Sequence, residues 1–260
     1  MLKVITLLVL FFVLMTTPTK IIAKEKTILF IHHSTGGNLI KEGKLRSEIK
    51  KIDPSLQLWD HNYNLSPIFT KLLAHNTHLR GLSDNNGTVT GKDYTIVLSN
   101  NSPKEYADIF SRNPKDPTLK AILNYDVIAF KNCYPTTKIV SDKQLAEDKR
   151  FYISIRNSLK KYPKKQFILF TPPPVRKEVT NTQNAKRAKL LVHWLRSKEF
   201  AQNVPNIHIF DFFSLLANNN GFLKQEYTRL LPWDSHPNVH ANKTVAPLLA
   251  TYLFSVASSK

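Results

Sequence analysis

Three short segments of this 260-residue chain carry side chains suited to acyl transfer. They are His32-His33-Ser34-Thr35-Gly36-Gly37-Asn38, Lys131-Asn132-Cys133-Tyr134-Pro135 and Trp233-Asp234-Ser235-His236-Pro237-Asn238. Ser34 follows an apolar run and precedes two glycines, where a strand turns into a helix. The exposed N–H groups and dipole of a helix start favour negative charge, as a tetrahedral oxyanion requires. The same place suits a cap, since Ser34 and Thr35 are both good capping residues. In an extended segment, residues two apart point to one side. Asp234 could therefore orient His236 through Nδ1 and leave Nε2 to take a proton from a serine. A surface turn would use the same residue types. Asn132 could offer its amide to an oxyanion, or it could simply end a strand. Cys133 is the single cysteine. It could act as a nucleophile, but free cysteines are mostly buried, and its expected role is to pack as a small residue.

Other chemistries fit less well. The glycines are not followed by the lysine of a phosphate-binding loop. His236, His240 and Asp234 could join His32, His33 or Asp60-His61 around a metal, but their spacing matches no sharp ligand motif, and no metal or other cofactor is expected. Trp59, Tyr63, Tyr134 and Trp233 read as pocket walls or core.

Strand ends must hold these segments. Residues 27–31, 56–59, 125–130, 166–170 and 206–210 are apolar runs of strand length. Helical spacing recurs over 39–52, 142–161, 182–201 and 242–256, with shorter pieces at 103–110 and 118–124. Alternation of this kind predicts βαβ units and a parallel sheet covered on both faces. The expected fold class is α/β, a three-layer α/β/α sandwich on five mainly parallel strands. The polar, Asn-rich stretch 60–103 reads as a loop-rich insertion at the sheet's edge, with a helix near 67–79. Ligands of such sheets bind beyond the carboxyl ends of the strands, where the three segments fall.

Composition narrows the setting. A hydrophobic content of 42% excludes general disorder. The 37 Lys+Arg against 19 Asp+Glu give a formal charge of +18, which favours anionic surroundings such as acidic polysaccharide, phosphate or anionic lipid. No nucleic-acid motif accompanies the charge. One cysteine excludes an intrachain disulfide and a cysteine-based zinc site. Met1-Leu2-Lys3, the apolar run after it and Lys20-Ile21-Ile22-Ala23 have the layout of a secretory signal peptide. Residues 1–23 are expected to be removed, leaving 24–260 as one domain that is secreted or held in the periplasm or cell envelope. An uncleaved anchor is the alternative. No second long apolar run follows, so no integral membrane segment is expected after processing.

Together the segments resemble the SGNH, or GDSL-like, hydrolase superfamily. Phe30-Ile31-His32-His33-Ser34 aligns with its first block, Phe130-Lys131-Asn132 with its third and Asp234-Ser235-His236-Pro237-Asn238 with its last, over about 27 to 256. The resemblance implies a flavodoxin-like sheet and an esterase or deacylase site. Ser34 would be the nucleophile, within hydrogen-bond reach of the base His236, with Asp234 holding the imidazole. The oxyanion would be bound by the Ser34 N–H, the Asn132 side chain and a second-block glycine, here assigned to Gly81. The substrate would be a small-molecule or glycan ester, including O-acyl groups of an anionic envelope polymer; acyl transfer to a sugar would use the same residues. Three departures stand out. His32-His33 replaces the family's Gly-Asp, Asp234 lies two rather than three residues before His236, and the second-block glycine is not obvious, since Gly81, Gly87 and Gly91 all lie in the polar insertion and Gly81 is only the preferred one. The displaced Asp234 is therefore expected to matter less than His236. A catalytically inert protein binding an anionic glycan is the reading from another class, and the missing Gly-Asp pair supports it.

Overall fold

The computed structural model describes residues 25–63, 80–97, 101–201 and 204–259. The expected signal peptide at 1–23 and the helix expected near 67–79 lie outside the described residues.

Five parallel strands form the sheet: β1 (Thr27–His32), β2 (Gln57–Asn62), β4 (Val127–Phe130), β5 (Gln166–Phe170) and β6 (Ile207–Phe210). A short strand, β3 (Gly81–Ser83), pairs antiparallel with β2 at the edge, so the spatial order is β3-β2-β1-β4-β5-β6. The sheet thus has six strands rather than the expected five. The chain leaves β1 for β2 on one side and returns to β4 on the other, which makes the carboxyl end of β1 a topological switch point.

Side chains alternate across the buried strands, and each face has its own helices. Leu29, Ile31, Ile128, Phe130, Phe167 and Leu169 face one layer. That layer comprises α3 (Pro103–Phe110), α4 (Pro117–Ile122), α5 (Asp142–Leu159), α6 (Thr182–Leu195) and α7 (Lys198–Ala201). Ile28, Phe30, Val127, Ala129, Ile168 and Phe170 face the other. There α1 (Thr35–Lys41), α2 (Leu45–Ile52), α8 (Phe212–Leu216) and α9 (Val239–Ser258) cover them. Among the described residues, no helix is long and apolar enough to cross a membrane.

Several boundaries differ from expectation for local reasons. The helical pattern at 39–52 is two helices, separated where Lys44 takes a left-handed φ of 54°, and at Gly43 beside it α9 comes so close that a Cβ would lie 2.7 Å from the Asn242 carbonyl oxygen. Strand β2 runs on through Asp60 and His61, which had been expected to follow it. Both are polar yet buried, and the sheet tolerates them because Asp60 meets His32 and Arg46 while His61 meets Asp93.

Candidate active site

Ser34 connects β1 to α1 with φ 33° and ψ −93°, a region that residues with a Cβ rarely adopt. Such a conformation costs about 1–3 kcal/mol and persists only where the surroundings impose it. Part of the imposition is visible at Gly36, where a Cβ would lie 2.4 Å from His32 Cβ, so α1 can start this close to β1 only with glycine. The Ser34 hydroxyl makes no capping hydrogen bond to α1, which removes the cap reading. It lies instead 2.9 Å from His33 Nδ1 and 3.2 Å from Cys133 Sγ. On its other side, Ser34 lines a polar cleft of about 210 Å³ shared with Asn38, Lys41, Asn62, Ser83 and Gly87.

The loop before α9 supplies Asp234 and His236. Asp234 Oδ1 accepts the His236 backbone N–H at 2.9 Å and meets His236 Nδ1 at 2.5 Å. The loop is pinned from behind: the Arg176 N–H donates to Ser235 Oγ at 3.2 Å, and the Arg176 guanidinium donates to the Arg229 and Leu231 carbonyls. Tyr134 packs edge-on against the imidazole, with ring centroids 5.0 Å apart. Burial pushes the His236 pKa down, but Cys133 and Asp234 together hold it above its ordinary value. Asp234 is held low because its bonds to His236 outweigh burial, which acts the other way.

The thiol of Cys133 joins these two parts. It is 2% exposed and contacts Ser34 Oγ at 3.2 Å, and the thiol and the His236 imidazole each stabilise the other's charged form. Burial alone would push the thiol up, but Lys131, His236 and Ser34 outweigh it and bring it down to about 6. Lys131 is fully buried, its Nζ lies 3.5 Å from the His33 carbonyl, and burial brings its ammonium down to about 8. A thiolate beside two cationic partners is the arrangement that lowers a cysteine pKa.

Ser34, Cys133, His236 and Asp234 therefore form one chain of contacts although they come from three distant segments. One expectation needs correction. Among the described residues, no hydrogen bond joins Ser34 to His236; the Cys133 thiol meets the Ser34 hydroxyl and interacts electrostatically with the imidazole. The cysteine is buried, as expected, but it is not mere packing.

Asn132 is also brought to this edge of the sheet and is 1% exposed. Its Nδ2 donates to the Ser102 carbonyl at 3.1 Å and its Oδ1 accepts from the Tyr152 hydroxyl at 3.5 Å. The amide is thus engaged with the residue that caps α3. Gly81 sits at the β3 edge opposite Asn62, with φ +105°, and a Cβ there would lie 2.9 Å from the Lys92 carbonyl oxygen. Backbone shape accounts for this glycine, and the cleft wall on that side is formed by Ser83 and Gly87.

His32 and His33, which stand where the resembled family has Gly-Asp, have separate surroundings. His32 Nε2 meets Asp60 Oδ2 at 2.9 Å, and Asp60 Oδ1 accepts from Arg46. Burial holds the His32 pKa below its ordinary value despite Asp60. His33 stacks edge-on against Tyr63. Trp233 is 65% exposed and belongs neither to the core nor to the cleft wall. His240 stacks on Tyr227, and among the described residues no three His, Cys, Asp or Glu side chains converge as metal ligands would. Lys131 and the bridging position of Cys133 were missed in the sequence. The only signal for them was the unusual pairing of a lysine and a cysteine around a strand-end asparagine.

No family profile matches the chain, and no curated protein does. Solved structures do align with it. A GDSL-like lipase from Bacteroides thetaiotaomicron shares 12% identity, with 90% of each chain covered and a TM-score of 0.45. A Bacteroides fragilis protein provisionally described as an acylhydrolase shares 13% identity over 90% of this chain and 89% of its own, with a TM-score of 0.49. A gut microbial diltiazem-metabolizing enzyme shares 12% identity over 89% of this chain and 46% of its own, with a TM-score of 0.50. At such identities the likeness is one of fold alone, an α/β/α sandwich.

Proposed function

We propose that this chain is an exported serine hydrolase that cleaves ester bonds. The observation that carries the reading is Ser34, held in a strained turn at the switch point of the sheet with an uncapped hydroxyl beside an open polar cleft. Strain of this kind clusters at functional positions. In the first step, Ser34 Oγ attacks the ester carbonyl and its proton passes toward the His236 side of the site; the alcohol then leaves with a proton. Asp234 holds the imidazole and stabilises its charged form. The Ser34 N–H and the Asn132 side-chain amide are assigned to the oxyanion. Water then attacks the acyl-enzyme by the same route. The Asn38, Lys41, Asn62 and Ser83 residues that line the cleft and the +18 charge support a hydroxyl-rich or anionic substrate, such as an O-acylated envelope glycan. The amino-terminal pattern supports export.

The contact between Cys133 and Ser34 favours one other reading, in which the site has lost direct serine–histidine contact and only binds. Treating the purified protein with a fluorophosphonate separates the two. The hydrolase reading expects a covalent adduct at Ser34, absent in Ser34→Ala, and turnover of short-chain or O-acetylated glycan esters. Intact Ser34 after prolonged treatment, with no ester turnover, would return the protein to the binding reading.

A further inference from the structure

We infer that Cys133 is a catalytic residue, the immediate proton acceptor of Ser34, so that His236 and Asp234 act on the serine through its sulfur. The inference rests on the hydrolase reading above and adds a fourth member to its machinery. Three geometric observations carry it. Sγ lies 3.2 Å from Ser34 Oγ, at hydrogen-bonding distance for sulfur, and among the described residues no hydrogen bond joins the serine directly to His236. Asp234 fixes the other side of the imidazole at 2.5 Å, so the ring cannot swing to the serine without breaking that contact. Exposure also divides the roles: Ser34 borders the cleft, whereas Cys133 is 2% exposed and does not line it. The serine meets the substrate and the sulfur lies behind it.

The charges around the sulfur suit this role. Lys131 and Tyr134 act on it from its own segment, Ser34 and Thr35 contact it from the β1–α1 turn, and His236, held by Asp234, acts on it from the loop before α9. Lys131 and a protonated His236 favour the thiolate, and Asp234 favours the imidazolium. The resting site is then a thiolate–imidazolium pair. As Ser34 Oγ bonds to the ester carbon, the carbonyl π electrons move to its oxygen and the serine proton moves to sulfur, giving a neutral thiol. When the tetrahedral intermediate collapses, the C–O bond to the alcohol breaks, the alcohol takes the proton from the thiol, and the thiolate returns. Deacylation repeats the cycle: a water proton goes to sulfur, then back to Ser34 Oγ as the acid departs. No oxidant or further reactant is consumed.

Because Cys133 is the only cysteine, thiolate absorbance in the ultraviolet reports on it alone. The test compares wild type, Cys133→Ser and Cys133→Ala for ester turnover, fluorophosphonate labelling at Ser34 and pH dependence, with thermal melting as a check on folding. The relay expects kcat to fall on the order of 10²–10³-fold in both variants with KM little changed, within the usual range for loss of a proton-transfer group. The Ser34 labelling rate should fall in parallel. The acid limb of the wild-type profile should coincide with the thiolate titration and should move in the variants, a shift that lost packing alone would not produce. Cys133→Ser should melt close to wild type. Turnover within about threefold of wild type and an unmoved acid limb in Cys133→Ser would overturn the relay while leaving Ser34 as nucleophile. A fluorophosphonate adduct on Cys133 instead of Ser34 would also overturn it, by making sulfur the nucleophile. If Ser34 is unlabelled and no ester is turned over even in wild type, it is the hydrolase reading itself that fails.

Discussion

Replacing Ser34 with glycine should stabilise the protein relative to replacing it with alanine, and both changes should abolish ester turnover. With φ 33° and ψ −93°, Ser34 has the positive φ that a Cβ disfavours, yet its ψ lies outside the left-handed helical well. The cost of such a conformation is about 1–3 kcal/mol for a residue with a Cβ. Alanine keeps the Cβ and the strain, and it loses the contacts to His33 Nδ1 and Cys133 Sγ. Glycine loses the same contacts but sheds the strain, at a cost of about 0.5–1 kcal/mol from the greater freedom of its unfolded chain. The net difference is about 0–2.5 kcal/mol in favour of glycine. For a domain of this size that corresponds to a melting temperature up to roughly 10 °C higher for Ser34→Gly than for Ser34→Ala. Calorimetry or denaturant unfolding of the two variants side by side measures it, since the lost hydroxyl is common to both. A Ser34→Gly protein that melts at or below Ser34→Ala would show that the turn stores no strain, and would remove the main structural argument for a functional Ser34.

Asp234 now carries a stronger expectation than its spacing from His236 suggested. Its carboxylate meets both the backbone N–H and Nδ1 of His236, so Asp234→Asn should lower turnover on the order of 10²–10⁴-fold and lower the imidazole pKa measured by NMR; near-wild-type turnover would place the orienting group elsewhere. Asp148 offers a test unrelated to catalysis. Burial, with Glu147 and Glu105 nearby, raises its carboxyl to about 7, and one of its oxygens has no partner among the described residues. A carboxyl raised in the folded state opposes folding wherever the unfolded chain is ionised. Its penalty is absent below about pH 4, grows as pH rises through the window from 3.8 to about 7, and is constant above that. Asp148→Asn should therefore stabilise the protein at pH 8, by up to about 4 kcal/mol, and give little gain near pH 4; equal effects at both pH values in denaturant titrations would refute the raised carboxyl pKa.

Most of the architecture was legible in the sequence because it is set by local periodicity. Apolar runs of four to six residues and helical spacing between them specify strands buried on both faces, and the three polar segments sit at strand ends for the same reason. The Asp234–His236 contact was legible too, since residues two apart in an extended loop share a side by backbone geometry alone. Tertiary structure decided the rest. Strand β2 extends through Asp60 because Arg46 and His32, from elsewhere in the chain, satisfy that carboxylate. The short strand β3 exists because Gly81 can take a positive φ beside Lys92. The decisive case is Cys133, which lies 99 positions from Ser34 in sequence and 3.2 Å from it in space. No local pattern encodes that contact. It follows from the registers in which β1 pairs with β4 and from where the loop before α9 closes over their ends, and a shift of one residue in either would take the sulfur away from the serine and the histidine.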